Sequence, residues 1–504
     1  MTDNAALLMR AIVDELTQRL IPELESADAI ERGTFARLVL QDLASDIDVL
    51  PGVAEQLVPE FRRVIDDALK RIEGGSIAGV AVLRTEFEGI AAEQGSARQR
   101  EISALRALAA RIVRQLADRS SSGEGVAEQR GASQALSRLG DADVRWLLAY
   151  DAARTAESEA RRPDASKGSD AHPSPAGDGV TVETMTAYLR RRFPGNPRAE
   201  ATAVIPVPGG RSKKTYLISV RDTDALPTDL VMRQDYALRY EGTKVRDEYT
   251  PLLRLAEAGL PVPQPLHLES EVSELGPPFI LVQRMSGSAP GSYFRLQSRC
   301  PGAFRDLAVT LAKLHATEAA DLGFPLGAAP ERNLERLIAQ YENKWRDNAM
   351  TASPVVDYAY AWARRECALD AGMYAVVHGD AGPYNVLVDG DRLTAVLDWE
   401  FAHVGDPAED LGIVRVYAED VMDWQEFVSI YVAAGGREVP ERRVRLGMML
   451  QFLKGTTLVA ASGRNFVEGW TREFIKGANA FTGLRLIELR IAALLRRFES
   501  DQPS

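Results

Sequence analysis

The stretch VVHGDAGPYNVLVDGDRLTAVLDWE, residues Val376 to Glu400, decides how the chain is read. An apolar run ends in His378-Gly379-Asp380. Two further short apolar runs follow, Val386–Val388 and Leu393–Leu397, each of strand length. Asp389-Gly390-Asp391 between them has the composition of a tight hairpin turn. Closing that hairpin brings Asn385 and Asp398 together at its open end, within about a residue or two of register. Asp380 precedes the hairpin by one small loop, so Asp380, Asn385 and Asp398 are expected to converge. A carboxylate and an amide oxygen at a strand mouth suit magnesium, a hard ion that prefers oxygen and keeps waters. A second carboxylate can orient an alcohol and take its proton. Phosphoryl transfer asks for these parts and for little covalent work by the protein.

Length and composition set the frame. A chain of 504 residues predicts two or three folding units. A hydrophobic content of 45% with 26% charged residues describes a globular protein. The net charge of -12 argues against nucleic acid or an anionic membrane as partner. Cys300 and Cys367 are far apart and lack metal spacing, so neither a disulfide framework nor a zinc site is expected. Acids interrupt the apolar pattern of MTDNAALLMRAIVDEL, which reads as neither signal peptide nor membrane span. A reducing, cytoplasmic setting is the expectation.

Four segments are expected along the chain. Residues 1–160 carry helical periodicity and predict a small helical bundle. Phe35, Leu38, Leu43 and Ile47 mark one of its helices, expected to stop at Pro51-Gly52, and Phe61, Val64, Ile65 and Leu69 mark the next. Ile102–Leu116 and Leu136–Leu147 predict two more. Residues 161–180, rich in Pro, Gly, Ser and Asp, read as a flexible linker. Residues 181–285 predict a β-rich lobe: TAVIPVPGGRSKKTYLISV and LVMRQD read as strands around a glycine turn, Tyr249–Ala258 as a helix ending at Gly259, and FILVQRM as a buried strand. Residues 286–504 predict a helical lobe, with Phe304, Leu307, Leu311 and Leu314 on one stripe.

Three motifs in order carry a resemblance. HGDAGPYN resembles the H-G-D-x-x-x-x-N catalytic loop of the aminoglycoside phosphotransferase and choline kinase family. VLDWE is similar to its metal-binding strand, and AHVGDPAEDLG to the segment after it. DWE, with PVPQP and GPPFILVQRM upstream, looks most like the branch associated with acyl-CoA dehydrogenases. The resemblance implies an α+β, two-lobed protein-kinase-like fold preceded by an all-α domain. It implies a kinase that moves the γ-phosphate of ATP, or of GTP, to a small-molecule hydroxyl. In that reading Asp380 faces the hydroxyl, Asn385 and Asp398 bind Mg, His378 holds the loop's shape, and Asp410 anchors the loop, with Asp406 in a similar structural part. The branch suggests a hydroxyacyl-CoA or hydroxy acid as acceptor.

The nucleotide half is expected upstream. Gly209 and Gly210 would let backbone approach phosphates, with Ser212 as a donor, although the same pair suits a plain hairpin turn. Lys213 stands where the family usually has asparagine. Arg233 takes the place where many kinases carry lysine, with Glu248 as its partner. Gln283, Arg284 and Met285 would form the hinge that meets the base, chiefly through backbone groups. His315 reads as a satisfied buried histidine and Trp399 as packing, while Glu400 either aids the metal or caps a strand end, the structural reading being preferred. An aminoglycoside or amino-alcohol acceptor stays open. So does a nucleotide-binding pseudokinase, although the three residues such proteins lose are all present. The N-terminal helices could serve a protein partner or homo-oligomer.

Overall fold

A computed structural model describes residues 2–24, 27–73, 80–90, 98–120, 126–160, 180–207, 213–235, 244–293, 295–369, 372–469, 477, 480 and 483–500. The linker expected at 161–180 falls almost wholly outside these residues, as does the glycine turn with Gly209, Gly210 and Ser212. The chain opens with helices α1 (Thr2–Glu15), α2 (Ala27–Glu73), α3 (Val80–Gly89), α4 (Arg98–Ser120) and α5 (Val126–Ala160).

The stop expected at Pro51-Gly52 does not occur. Helix α2 runs through both Pro51 and Pro59. An interior proline costs about 3 kcal/mol through its missing N–H and a carbonyl clash. Yet Val53, Ala54, Val58, Phe61, Ile65, Leu69 and Ile72 stay on one buried stripe. Each large apolar side chain buried there returns roughly 1.5–3 kcal/mol, which outweighs the two prolines.

The β-rich lobe begins with a helix not anticipated from the sequence, α6 (Val182–Arg192), capped by Thr181. It has few apolar positions, Met185, Tyr188 and Leu189 among them, and ends in three arginines, so its periodicity is weak. Strands β1 (Glu200–Val207), β2 (Lys213–Arg221), β3 (Asp229–Asp235), β4 (Pro265–Glu269) and β5 (Phe279–Gln283) form an antiparallel sheet in the order β1-β2-β3-β5-β4. Helix α7 (Val245–Glu257) precedes β4, and Gly259 ends it at φ +71°. Phe279 and Leu281 face the core beneath α6, whereas Ile280 and Val282 face the helical lobe. Burial on both faces explains why this strand reads as an unbroken apolar run.

The helical lobe holds α8 (Pro301–Ala316), α9 (Asn333–Asn348), α10 (Pro354–Ala368), β6 (Ala375–Val377), β7 (Val386–Asp389), β8 (Arg392–Val396), β9 (His403–Gly405), α11 (Pro407–Ala418), α12 (Trp424–Ala433), α13 (Glu441–Val467) and α14 (Leu484–Ser500). The expected stripe of Phe304, Leu307, Leu311 and Leu314 is buried on α8. Helices α11 and α13 cross at Gly412 and Gly447, where a Cβ on either residue would run into the other helix's backbone.

The N-terminal helices share one apolar cluster with this lobe. Leu105, Ile112, Leu139 and Leu147 pack in the same core as Val355, Tyr360, Leu453 and Ile491. A buried polar knot ties the two. Arg106 Nε donates to Asp143 Oδ1 at 2.6 Å, Arg106 Nη2 reaches Glu488 Oε1 at 3.3 Å, and the Val355 amide donates to Asp143 Oδ2 at 3.0 Å. Among the described residues no helix is long and apolar enough to cross a membrane.

Candidate active site

The hairpin forms with Val386 opposite Val396, and Gly390 turns it at φ +59°. The Leu397 amide donates to the Asn385 carbonyl at 2.7 Å, which extends the ladder one step. Asp398 therefore emerges one residue past the hairpin's open end, in a left-handed conformation at φ 63° that opens a short turn, Trp399–Phe401. Beside it, β6 pairs with β9 and delivers His378-Gly379-Asp380 to the same end. Gly379 sits at φ +75°, and a side chain there would meet the Phe401 carbonyl.

Buried polar groups fix the loop. His378 is fully buried, its Nε2–H donates to the Leu397 carbonyl at 2.9 Å, and its Nδ1 accepts the Asp380 amide at 3.1 Å. Asp410, on α11, accepts the amides of His378 and Gly379, each at 2.8 Å. Burial pushes the Asp410 carboxyl up, but the bond from His315 and the nearby His378 outweigh it and hold the group below the usual carboxylate range. His315 completes the chain, 3.0 Å from Asp410 and 2.8 Å from the Tyr431 hydroxyl. Asp406 caps α11, accepting from the Ala408 amide at 2.9 Å, and receives Arg443 Nε at 3.1 Å. Trp399 is buried and donates to the Val396 carbonyl at 3.0 Å.

Asp380 is 8% exposed and heavily bonded. Asn385 Nδ2 donates to its Oδ2 at 2.8 Å. Its Oδ1 accepts from Tyr384 Oη at 3.0 Å, from Gln451 Nε2 at 3.2 Å and from the Lys454 ammonium. Two carboxylate oxygens offer about four lone-pair positions. Three donors crowd Oδ1 and one takes Oδ2, so Oδ2 keeps capacity for a hydroxyl. Burial and the Asp380 charge raise the Tyr384 phenol well above its ordinary pKa, so it remains a neutral donor.

The β-rich lobe meets this loop through cations. Arg233, on β3, donates to Asp398 Oδ1 at 2.5 Å and lies 3.4 Å from Glu248 Oε2 on α7. Burial raises the Asp398 carboxyl, but the Arg233 guanidinium more than cancels this and holds it below its ordinary value. Lys213, expected only as a departure in the lid, is buried on β2. Its Nζ lies 3.2 Å from Glu248 Oε1 and 3.6 Å from Glu400 Oε2. Glu248 thus holds two cations, not one. At the hinge, the Gln283 amide is committed to the Gln264 carbonyl and the Arg284 amide to the Asp229 carbonyl, at 2.9 and 3.0 Å. Gln283 exposes its side chain and Met285 is half-buried.

The donors fit magnesium. Asn385 spends its Nδ2 on Asp380, which leaves the amide oxygen for a cation, and Asp398 keeps a second carboxylate oxygen beyond the one that Arg233 holds. Among the described residues no three His, Cys, Asp or Glu side chains cluster as a metal site. A two-ligand oxygen set suits an ion that takes its remaining ligands from phosphates and water.

Residues 203–446 match the phosphotransferase enzyme family. Over these residues, just under half of the chain, it is similar to that family. It has two lobes, a small antiparallel sheet and a larger helical body. Over 261 residues it is 26% identical to acyl-CoA dehydrogenase family member 11 of Gallus gallus, which covers 49% of this chain and 32% of that protein. Over 181 residues it is 32% identical to viomycin phosphotransferase of Streptomyces vinaceus, covering 33% of this chain and 60% of that one. The chain thus spans about a third of the length of the acyl-CoA dehydrogenase relative. A solved macrolide 2'-phosphotransferase of Brachybacterium faecium aligns over 60% of this chain and 98% of its own at a TM-score of 0.43 and 19% identity.

Sequence reading missed Tyr384, Gln451 and Lys454. Tyr384 lay inside the quoted motif, but nothing local marks its hydroxyl as aimed back at Asp380. Gln451 and Lys454 stand three apart in MLQFLKGTT, polar residues within an apolar helix face. That break in the pattern was the available signal.

Proposed function

We propose that this domain transfers the γ-phosphate of ATP to the hydroxyl of a small molecule with magnesium. The observation that carries this is the meeting of Asp380, Asn385, Asp398 and Arg233 where the two lobes join, with Asn385 on Asp380 and Arg233 on Asp398. The acceptor hydroxyl would donate to Asp380 Oδ2. Its oxygen forms a bond to the γ-phosphorus while the bond to the β-phosphate oxygen breaks, and its proton passes to Asp380 and then to water. Asn385 Oδ1 and the second Asp398 oxygen would hold magnesium, which when bound neutralises charge on the phosphates. Arg233, positioned by Glu248, would grip phosphate oxygens. Gly209, Gly210 and Ser212 would cover them, and Gln283 to Met285 would border the base. GTP remains an alternative donor, because a base would be read by backbone groups.

For the acceptor we favour a hydroxyacyl thioester or hydroxy acid. The relative's name, acyl-CoA dehydrogenase family member 11, supports this. The viomycin phosphotransferase match supports the amino-alcohol alternative. The test is transfer from γ-labelled ATP and GTP to 3-hydroxybutyryl-CoA, 3-hydroxybutyrate and kanamycin. Asp380→Asn should lower transfer by at least about 10²-fold, in line with the loss of a general base, while ADP binding stays near normal. Wild-type transfer by Asp380→Asn would remove the assignment, and EDTA-resistant transfer would remove the metal.

A further inference from the structure

Helix α13 comes to the catalytic loop from far along the chain and contributes a buried cation that the reading so far does not use. Lys454 is 3% exposed. Its ammonium donates to the Gly379 carbonyl at 2.7 Å and to Asp380 Oδ1, and it lies 4.7 Å from the centre of the Phe401 ring. One helical turn earlier, Gln451 Nε2 donates to Asp380 Oδ1 and, at 2.8 Å, to Tyr384 Oη. Tyr293 Oη in turn donates to the Gln451 carbonyl at 3.0 Å.

A lysine is a costly choice for such a place. Burying an ammonium costs several kcal/mol unless it is paired and fully bonded. Were the need only to fill space, methionine or leucine would do it more cheaply. Here the ammonium is met by one carboxylate, one carbonyl and one aromatic face. Among the described residues, no other cation is recorded in contact with Asp380. Its position has two consequences. Three donors converge on Oδ1, which fixes the rotation of the carboxylate and turns Oδ2 toward Asn385 and the approaching hydroxyl. The ammonium also supplies positive charge beside the centre where the phosphoryl group is in flight and negative charge is spread over its oxygens.

We propose that Lys454 is a positioning residue for phosphoryl transfer: acting through Asp380, it orients the acid that receives the acceptor hydroxyl and sets the local charge. This rests on the kinase reading given above. Gln451 and Tyr384 complete the same collar as neutral donors. Because the effect falls on the acid and not on the nucleotide, it belongs in kcat and not in nucleotide affinity.

The test uses the full-length protein with γ-labelled ATP and the fastest acceptor of the panel above. Lys454→Met, Lys454→Arg and Asp380→Asn are compared with wild type in kcat, in KM for ATP, in ADP binding by calorimetry and in Tm. Lys454→Met should lower kcat by about 10²-fold, the loss typical of one preorganised charge-stabilising donor. KM for ATP and ADP affinity should stay within about threefold. Lys454→Arg, which restores charge and donors, should recover at least about tenfold of the loss. Two results would overturn the inference: Lys454→Met turning over within about threefold of wild type, or Lys454→Arg performing no better than Lys454→Met while both lose the same Tm. The second is the signature of a merely structural lysine. Should Lys454→Met not fold, Lys454→Arg alone decides: kcat within tenfold of wild type supports the inference, and a folded but dead arginine variant refutes it. The Asp380→Asn arm separates the two levels. No transfer by the wild-type protein to any acceptor brings down the kinase reading, and an active Asp380→Asn brings down the role of Asp380 and with it any role of Lys454 through it. An inactive Asp380→Asn beside a fully active Lys454→Met brings down only the role given to Lys454.

Discussion

The Asp357 carboxyl, in the first turn of α10, is buried and accepts Trp345 Nε1 at 3.1 Å. Burial raises its pKa to about 7, against the pull of Arg114, whose Nε lies 3.5 Å away. The native state therefore holds a proton that the unfolded chain releases near pH 4. Between about pH 4 and 7 the folded state binds more protons than the unfolded, so this group costs stability as the pH rises, and the cost is complete above pH 7. Asp357→Asn, neutral throughout, should gain Tm relative to wild type as the pH goes from 5 to 8. Equal differences at both ends would refute this. Residues of this sort were hidden in the sequence, since a buried acid and an exposed one are written alike. Asp380, Asn385 and Asp398 were legible because their spacing lies inside one loop and hairpin. Lys454 reaches Asp380 across 74 positions, and no local pattern reports a contact of that range.

At the scale of elements, the crossing of α11 and α13 decides how well the site is held. Gly412 and Gly447 let the helices approach backbone to backbone. Helix α11 carries Asp410, which holds the His378–Asp380 loop, and α13 carries Gln451 and Lys454. A methyl at the crossing must push them apart. Gly412→Ala should cost about 1–3 kcal/mol, as overpacking does, lowering Tm by roughly 1–3 °C. It should also lower kcat, because α13 retreats from Asp380. A variant that loses Tm but keeps full kcat would show that the two helices are decoupled from the chemistry. The hairpin β7–β8, strands β1, β2, β3 and β5 of the sheet and α8 could be read in advance because period, turn residues and burial agree there, whereas the short β4 could not. Helix α2 could not. Its prolines mark a local stop, and only the tertiary stripe against the other N-terminal helices overrules them. The same holds for α6, whose weak stripe acquires meaning only once the sheet lies beneath it.

Over the whole molecule, the N-terminal helices and the helical lobe are parts of one core. Asp143 is fully buried and joins Arg106 of α4 to the Val355 amide in the first turn of α10. Removing one partner of such a knot typically costs about 3–5 kcal/mol. Asp143→Ala should therefore drop Tm by roughly 3–5 °C on the slope expected for a chain of 504 residues, with ADP affinity unchanged below the transition. Deleting residues 1–160 should give an insoluble product, since Val355, Val356 and Tyr360 would be bared together. A soluble, active fragment would contradict this. Helical periodicity alone points to a bundle of its own, because an amphipathic pattern says that a face is buried and not what buries it.

The span of that knot bears on biosynthesis. Arg106 and Glu488 are 382 positions apart, and Asp143 and Val355 are 212 apart. At about 5–20 residues per second, a ribosome would deliver the docking helix α10 roughly 10–40 s after the helices that await it. Through that interval their sticky faces stand open on the nascent chain. Slower elongation would lengthen the window and raise the demand for chaperones, so the yield of active protein from a cell should depend on translation speed and on holdase supply more steeply than its equilibrium stability would suggest.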